Sequence, residues 1–354
     1  MELCKYGDVE EFINNQPNKV IHPNEARNIF FQMAFSLHTA GDRFGLKHYD
    51  VKLLNFLLQS ANKDSIDEEA HPHTVLRYGF GAHVFSLRMS TSRAFIAKLA
   101  DFGTANMKSE CEGQPITLGQ FTTLENSPPE FMICGDNASQ GYGHDCFGLG
   151  LCMLHLFTGH GPYEEILEEV KCPPTLHKKL RKLWENKESS DYEVIKSVIL
   201  ADVYEDEDGN IVGEPDDILY HTLYRYLVLF GIPKDKFKLK EHGKIWRTIT
   251  SSLEMNKRGS SSAIRYKKDA SKFSFLHGND PRIVAARTKL QRMQGGLDLL
   301  MGLVSFDPEK RFTPLDVINS VFMEPLREIS QESHCHHSDI VHSFMAYKTH
   351  HTSQ

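Results

Sequence analysis

Between residues 23 and 40 the apolar positions Ala26, Ile29, Phe30, Met33 and Leu37 recur at helical spacing, which predicts a helix with Asn24 as its cap. Gly41 and Gly45 then break the pattern. Two apolar runs of strand length follow, at 54–58 and 94–99. Between them lies a polar, acidic stretch with Asp64, Asp67, Glu68 and Glu69, and then residues 75–87, where Gly79 and Gly81 predict the turn of a β-hairpin. Residues 144–158 are largely apolar and stop near Gly159, Gly161 and Pro162, which predicts a buried helix. Further helical patterns cover 176–187, 295–305 and 313–323.

Residues 171–290 are mixed in character. The acidic run from Glu205 to Asn210 reads as a hairpin turn through Asp208-Gly209-Asn210. It is not a calcium loop, because with Gly209 at the sixth position Tyr204 and Pro215 stand where carboxylates are required. The basic stretch from Lys234 to Lys272 reads as a solvated, mobile insert rather than a binding face. The tail after Ser330 is polar and His-rich, and disorder is the expectation for 326–354. His334, Cys335, His336 and His337 lack the spacing of a closed zinc site.

Composition narrows the picture without directing it. With 354 residues, 40% hydrophobic and 25% charged, the chain can bury a large core. A net charge of -7 argues against a general nucleic-acid binder. The 7 cysteines form no C-x-x-C pair, which fits reduced thiols in the cytoplasm or nucleus. No apolar run reaches the roughly 20 residues of a membrane span, and Met1 to Phe12 lack the layout of a signal peptide.

The chemistry sits in three separated pieces. The first is His48-Tyr49-Asp50-Val51-Lys52-Leu53-Leu54-Asn55, between a helix and a short strand. The second is Asp101-Phe102-Gly103, directly after another short strand. The third is Ser127-Pro128-Pro129-Glu130. Each triplet alone is weak; their order and the internal Lys52 and Asn55 make the signal specific. Together they resemble the catalytic loop, the D-F-G turn and the A-P-E motif of eukaryotic protein kinases. Asp145 to Gly150 resembles the start of that family's central helix, and Asp307 to Phe312 its late D-P-x-x-R motif.

That resemblance implies a mixed α/β fold, mainly the helical C-terminal lobe with short β-hairpins. It implies transfer of the ATP γ-phosphate to a protein hydroxyl with Mg²⁺, and Lys52 after Asp50 resembles the serine/threonine type. Phosphoryl transfer needs positioning and charge neutralisation more than covalent help. Asp50 would orient the substrate hydroxyl and Lys52 would meet the γ-phosphate. Asn55 and Asp101 would supply oxygen ligands to Mg²⁺. Met1 to Asp8 resembles the hinge, so Glu2 and Cys4 would face adenine, Asp8 the ribose, and Leu57 the floor of the adenine site. Thr123 matches the threonine that packs on the catalytic pair, and Arg311 is expected to pair with Glu130 in a buried salt bridge.

The pattern also departs from the family. No Gly-rich loop, strand lysine or helix glutamate precedes the hinge, so the expectation is a kinase region 1–325 without its N-terminal lobe. The alternative is a non-catalytic pseudokinase or protein-binding module. Gly79-Phe80-Gly81 lies between the catalytic loop and D-F-G, the wrong place for a nucleotide loop. Tyr49 replaces the usual Arg that meets a phosphorylated activation loop; Ser109, Thr117 and Thr122 are weak phosphosite candidates. The core is expected at 1–170 and 295–325, with inserts at 59–93 and 171–290, the second a possible docking site for a partner.

Overall fold

The computed structural model describes residues 4–62, 67–107, 126–130, 141–185, 204–205, 211–212, 218–233, 243–254, 260–328 and 339–346. Glu2, Ser109, Thr117, Thr122, Thr123 and the His334–His337 cluster lie outside them.

The core is built around two helices. Helix α2 (Pro23–Phe44), after the short α1 (Val9–Asn14), buries Ile29, Phe30, Met33 and Leu37 along one face. Pro23 opens it, where a missing N–H costs nothing. Its cap is His22, whose ring accepts from the Asn24 backbone at 3.2 Å, rather than Asn24 itself. Gly45, with φ +61, closes it in the left-handed conformation. Helix α3 (Gly143–Thr158) is buried from His144 to Thr158, the pattern of a helix surrounded by its own core. It packs on α2, on α8 (Pro281–Arg292) and on α9 (Gly296–Leu303).

Two small sheets lie against this base. Strand β1 (Phe56–Ser60) pairs antiparallel with β4 (Phe95–Leu99), in the register Phe56 to Leu99 and Ser60 to Phe95. The expected strand at 54–58 begins later, because Leu53–Asn55 turns as a 3-10 helix. Between β1 and β4, strands β2 (His73–Phe80) and β3 (His83–Ser90) form the expected hairpin. Gly81 turns it with φ +58, a conformation that costs glycine little. The hairpin is fastened to α2 by Tyr78, whose ring meets Phe31 and Phe35 edge-on. The Tyr78 hydroxyl donates to Gln32 Oε1 at 2.9 Å, and the same oxygen accepts from the Ala97 backbone.

Residues 171–290 add a helical layer. It comprises α4 (Pro174–Glu185), α5 (Ile218–Phe230), α6 (Gly243–Leu253) and α7 (Ser261–Phe273), before α8. The pairs Tyr204 to Val212 and Glu205 to Ile211 form the two-residue strands β5 and β6, the arms of the expected hairpin. The basic stretch is not simply solvated. Among its described residues α6 and α7 bury Ile249, Leu253, Ala263 and Phe273. The Tyr224 hydroxyl of α5 donates to Asp269 at 2.9 Å, and Tyr266 of α7 to the Leu227 carbonyl at 3.0 Å. The described Lys267, Lys268 and Lys272 are exposed on the outer face of α7, whose inner face supplies the packing. The pattern at 313–323 resolves into α10 (Pro314–Asn319) and a 3-10 turn at Val321–Leu326.

The tail corrects another expectation. Residues 340–346 form strand β7 (Ile340–Ala346), which adds in parallel to β2 from Thr74–Ile340 to Phe80–Ala346. Phe344 stacks on Tyr78 with centroids 4.9 Å apart, and Asp339 pairs with Arg88 at 3.4 Å. The short apolar run within the polar tail pairs with the backbone groups of an available sheet edge.

Candidate active site

Helix α3 fixes the loop that follows α2. Asp145, in its first turn, accepts from the His48 and Tyr49 backbone amides at 2.7 Å each. Burial pushes the Asp145 carboxyl up to about 6, against the pull of those two amides. One turn on, Gly148 lets the helix meet the loop: a Cβ there would lie 2.7 Å from the Val51 carbonyl oxygen. The D-x-x-G spacing thus puts an anchor and a gap on one helix face. Tyr49, with φ +62, sits in a conformation disfavoured for a bulky residue. It is buried with its ring edge-on to His144 at 5.6 Å.

On this clamped loop three polar side chains converge. Asp50 is 6% exposed. Its Oδ2 meets Lys52 Nζ at 2.9 Å and accepts from Asn55 Nδ2 at 3.0 Å. Asn55 Nδ2 also donates to the Asp50 carbonyl at 2.7 Å. With its nitrogen committed to Asp50, Asn55 has its side-chain oxygen to offer a cation.

The β1–β4 pairing brings the second carboxylate alongside. The Ala100 amide donates to the Asn55 carbonyl at 2.9 Å, so Asp101 begins one residue beyond. Asp101 is exposed, with φ +58, and its Oδ1 accepts from the Gly103 amide at 3.3 Å. His48 joins the two segments: its Nε2 bonds the Ala100 carbonyl at 2.9 Å and its own carbonyl accepts from the Thr104 hydroxyl at 2.9 Å. Lys47 and Asn106 add a reciprocal pair of backbone bonds at 2.8 Å.

Of the nucleotide-facing residues expected from the sequence, Cys4, Asp8 and Leu57 are brought together. Asp8 and Leu57 form an antiparallel bridge, with the Leu58 amide on the Gly7 carbonyl at 2.8 Å. Asp8 also caps α1 through the Glu11 amide at 2.8 Å, a structural duty beside any ribose contact. Leu57 is half-buried, and Cys4 closes a turn by accepting from the Gly7 amide at 3.3 Å.

Glu130 and Arg311 form the expected buried pair, Nη1 to Oε1 and Nη2 to Oε2, both at 2.7 Å. Three residues beside the loop carried no sequence signal: Glu10, His155 and Glu164. With Lys52 they line a cavity under the catalytic loop. Their separate places in the chain hid them.

Among the described residues no group of three His, Cys, Asp or Glu side chains could hold an ion alone. A cation here would draw on Asn55, Asp101 and phosphate oxygens together, the habit of Mg²⁺ with nucleotides. The Asp50, Lys52 and Asn55 loop and the Asp101 turn, joined through His48 and Lys47, make up the candidate active site. The protein kinase domain family matches residues 1–323, and the chain belongs to that family. No curated protein matches the chain. Among the described residues no helix is long and apolar enough to cross a membrane.

Proposed function

We propose that the protein transfers the γ-phosphate of ATP to serine or threonine hydroxyls of a protein substrate. The observation that carries this reading is the Asp50–Lys52–Asn55 cluster, with Lys52 2.9 Å and Asn55 3.0 Å from Asp50, on a loop held by Asp145. Asp50 accepts the hydroxyl hydrogen of the acceptor and aligns its oxygen. Lys52 balances charge on the transferring phosphoryl group, and Asn55 and Asp101 hold Mg²⁺ delivered with the nucleotide. Cys4, Asp8 and Leu57 form the nucleotide-facing side, to which the sequence resemblance also assigns Glu2.

The test uses the purified full chain with labelled ATP, Mg²⁺ and a library of serine- and threonine-containing peptides. Asp50→Asn should lower transfer by about a hundredfold or more, with the melting temperature close to that of the unaltered protein. Undiminished transfer by Asp50→Asn removes Asp50 from its role. No transfer, with no Mg²⁺-ATP thermal shift, favours the non-catalytic binding module.

A further inference from the structure

Strand β4 leads directly to Asp101, and among the described residues it pairs only with β1. Its other edge is met by a side chain. Gln32, buried on α2, accepts from the Ala97 amide at 2.9 Å and donates to the Phe95 carbonyl at 3.3 Å. Those two backbone groups belong to residues two apart, so they point to the same edge of the strand. The Gln32 amide therefore stands in for a neighbouring strand. Its Oε1 also accepts from the Tyr78 hydroxyl at 2.9 Å, and Tyr78 lies opposite Phe344 of β7. We propose that Gln32 is a positioning residue for Asp101: it fixes the outer edge of β4, and through Tyr78 it makes that placement depend on the docking of the C-terminal strand β7. This rests on the kinase reading above.

Three features support this relay. The first is the setting of Tyr78. Its ring is buried against Phe31, Phe35 and Phe344, with centroids 5.4, 4.9 and 4.9 Å away. Burial holds its hydroxyl above the ordinary range, so it stays protonated and has a hydrogen to donate. A buried hydroxyl that loses its acceptor costs free energy. The stack on Phe344 holds the ring at the place where the hydroxyl reaches Gln32, so the two contacts support each other.

The second feature is reach. Ala97 stands four residues before Asp101, opposite Leu58 and next to the Lys98–Leu57 pair. A shift of β4 at Ala97 is thus passed to Leu57 on one side and to Asp101 on the other. The third feature is a further attachment of β7. His342 Nε2 bonds Asn62 Oδ1 at 3.3 Å; an amide oxygen only accepts, so that ring nitrogen carries the hydrogen. Asn62 Nδ2 in turn donates to the Thr91 carbonyl at 3.0 Å. Asn62 follows β1 and Thr91 precedes β4, so the tail strand is tied to the ends of both strands as well as to Gln32. Coupling between distant places needs a contiguous chain of contacts and an element with two arrangements. Here β7, docked or released, is that element.

The experiment measures Mg²⁺-ATP affinity by calorimetry and amide exchange in β4 by mass spectrometry, both on the full chain. Phe344→Ser removes the stack, Tyr78→Phe removes only the hydroxyl, and Gln32→Met removes the amide at similar volume. Each should weaken Mg²⁺-ATP binding by about tenfold and quicken exchange in β4, with the α3 amides unchanged. Phe344→Tyr, which keeps a stacked ring, should behave as the parent. Adding Phe344→Ser to Gln32→Met should weaken binding little beyond Gln32→Met alone, because both act through one network. A merely structural Gln32 would lower the melting temperature and leave affinity intact, which overturns the proposal. So do additive losses from Phe344→Ser and Gln32→Met, or parent-like affinity and exchange in Phe344→Ser. Absence of Mg²⁺-ATP binding by the unaltered chain removes the kinase reading, while β4 exchange in Phe344→Ser and Tyr78→Phe still judges the relay.

Discussion

Arg311 and Glu130 stand 181 positions apart and meet as a two-point ion pair, with both contacts at 2.7 Å. The Arg311 side chain is 0% exposed. Its remaining donors go to the Ser305 and Gly143 carbonyls, and its guanidinium lies 5.2 Å from the centre of the Phe147 ring. The pair ties the A-P-E segment to the start of α3 and to the turn before α10. Burial alone would lower the Arg311 pKa, but Glu130 outweighs it and raises it.

Breaking one half should therefore cost more than removing both. Arg311→Met leaves a desolvated carboxylate, and a loss of about 3–5 kcal/mol is expected. Adding Glu130→Leu should restore part of it. Urea unfolding of the two single variants and the double variant measures the coupling; strictly additive losses would argue against the pair.

Gly148 gives a second prediction. Gly148→Ala places a methyl 2.7 Å from the Val51 carbonyl oxygen and 2.9 Å from its Cβ. Overpacking there should cost about 1–3 kcal/mol. It should also shift the loop bearing Asp50, so transfer falls further than stability accounts for. A variant as stable and active as the parent would mean the gap is slack.

His144 gives stability a pH dependence. Burial, then the Arg311 charge, pushes this ring down from 6.5 to about 3. The folded state thus binds fewer protons than the unfolded chain between those values, and stability falls as pH drops through that window. His144→Phe should flatten the decline in urea midpoint as pH drops below 6.5. An unchanged slope would place the acid sensitivity elsewhere.

Glu165 acts on the same limb at lower pH. Burial raises its pKa, but bonds from His160 and Lys19 overcome this and hold it at about 2. Its stabilising effect is complete above its ordinary 4.5 and is lost as pH falls toward 2. Glu165→Gln should remove that component, read as a shallower melting-temperature drop in acid.

The β7 strand should stabilise the β2–β3 hairpin more than the helical base. Deleting residues 339–354 removes the Phe344–Tyr78 stack and one whole side of β2. Hydrogen exchange should quicken in β2 while the amides of α3 stay protected. Equal acceleration in both would show that the tail supports the entire core.

What the sequence by itself determined was the family, the residue pattern of the candidate site and the elements that carry it. His48 to Asn55, Asp101 to Gly103, Glu130 and Arg311 are legible because residue type and spacing are local properties. The same holds for α2 and α3, whose apolar periodicity needs no partner to be read. The tertiary structure alone decided the rest. Residues 340–346 are a short apolar run hidden in a His-rich, polar tail, and they become a strand because β2 offers them an edge. The stretch around Lys267 and Lys272 looks solvated until the inner face of α7 finds Leu227 and its neighbours. Glu10, His155 and Glu164 come to one cavity only through the fold. These outcomes depend on contacts between distant segments, whose energies come from what each segment meets and not from its own pattern.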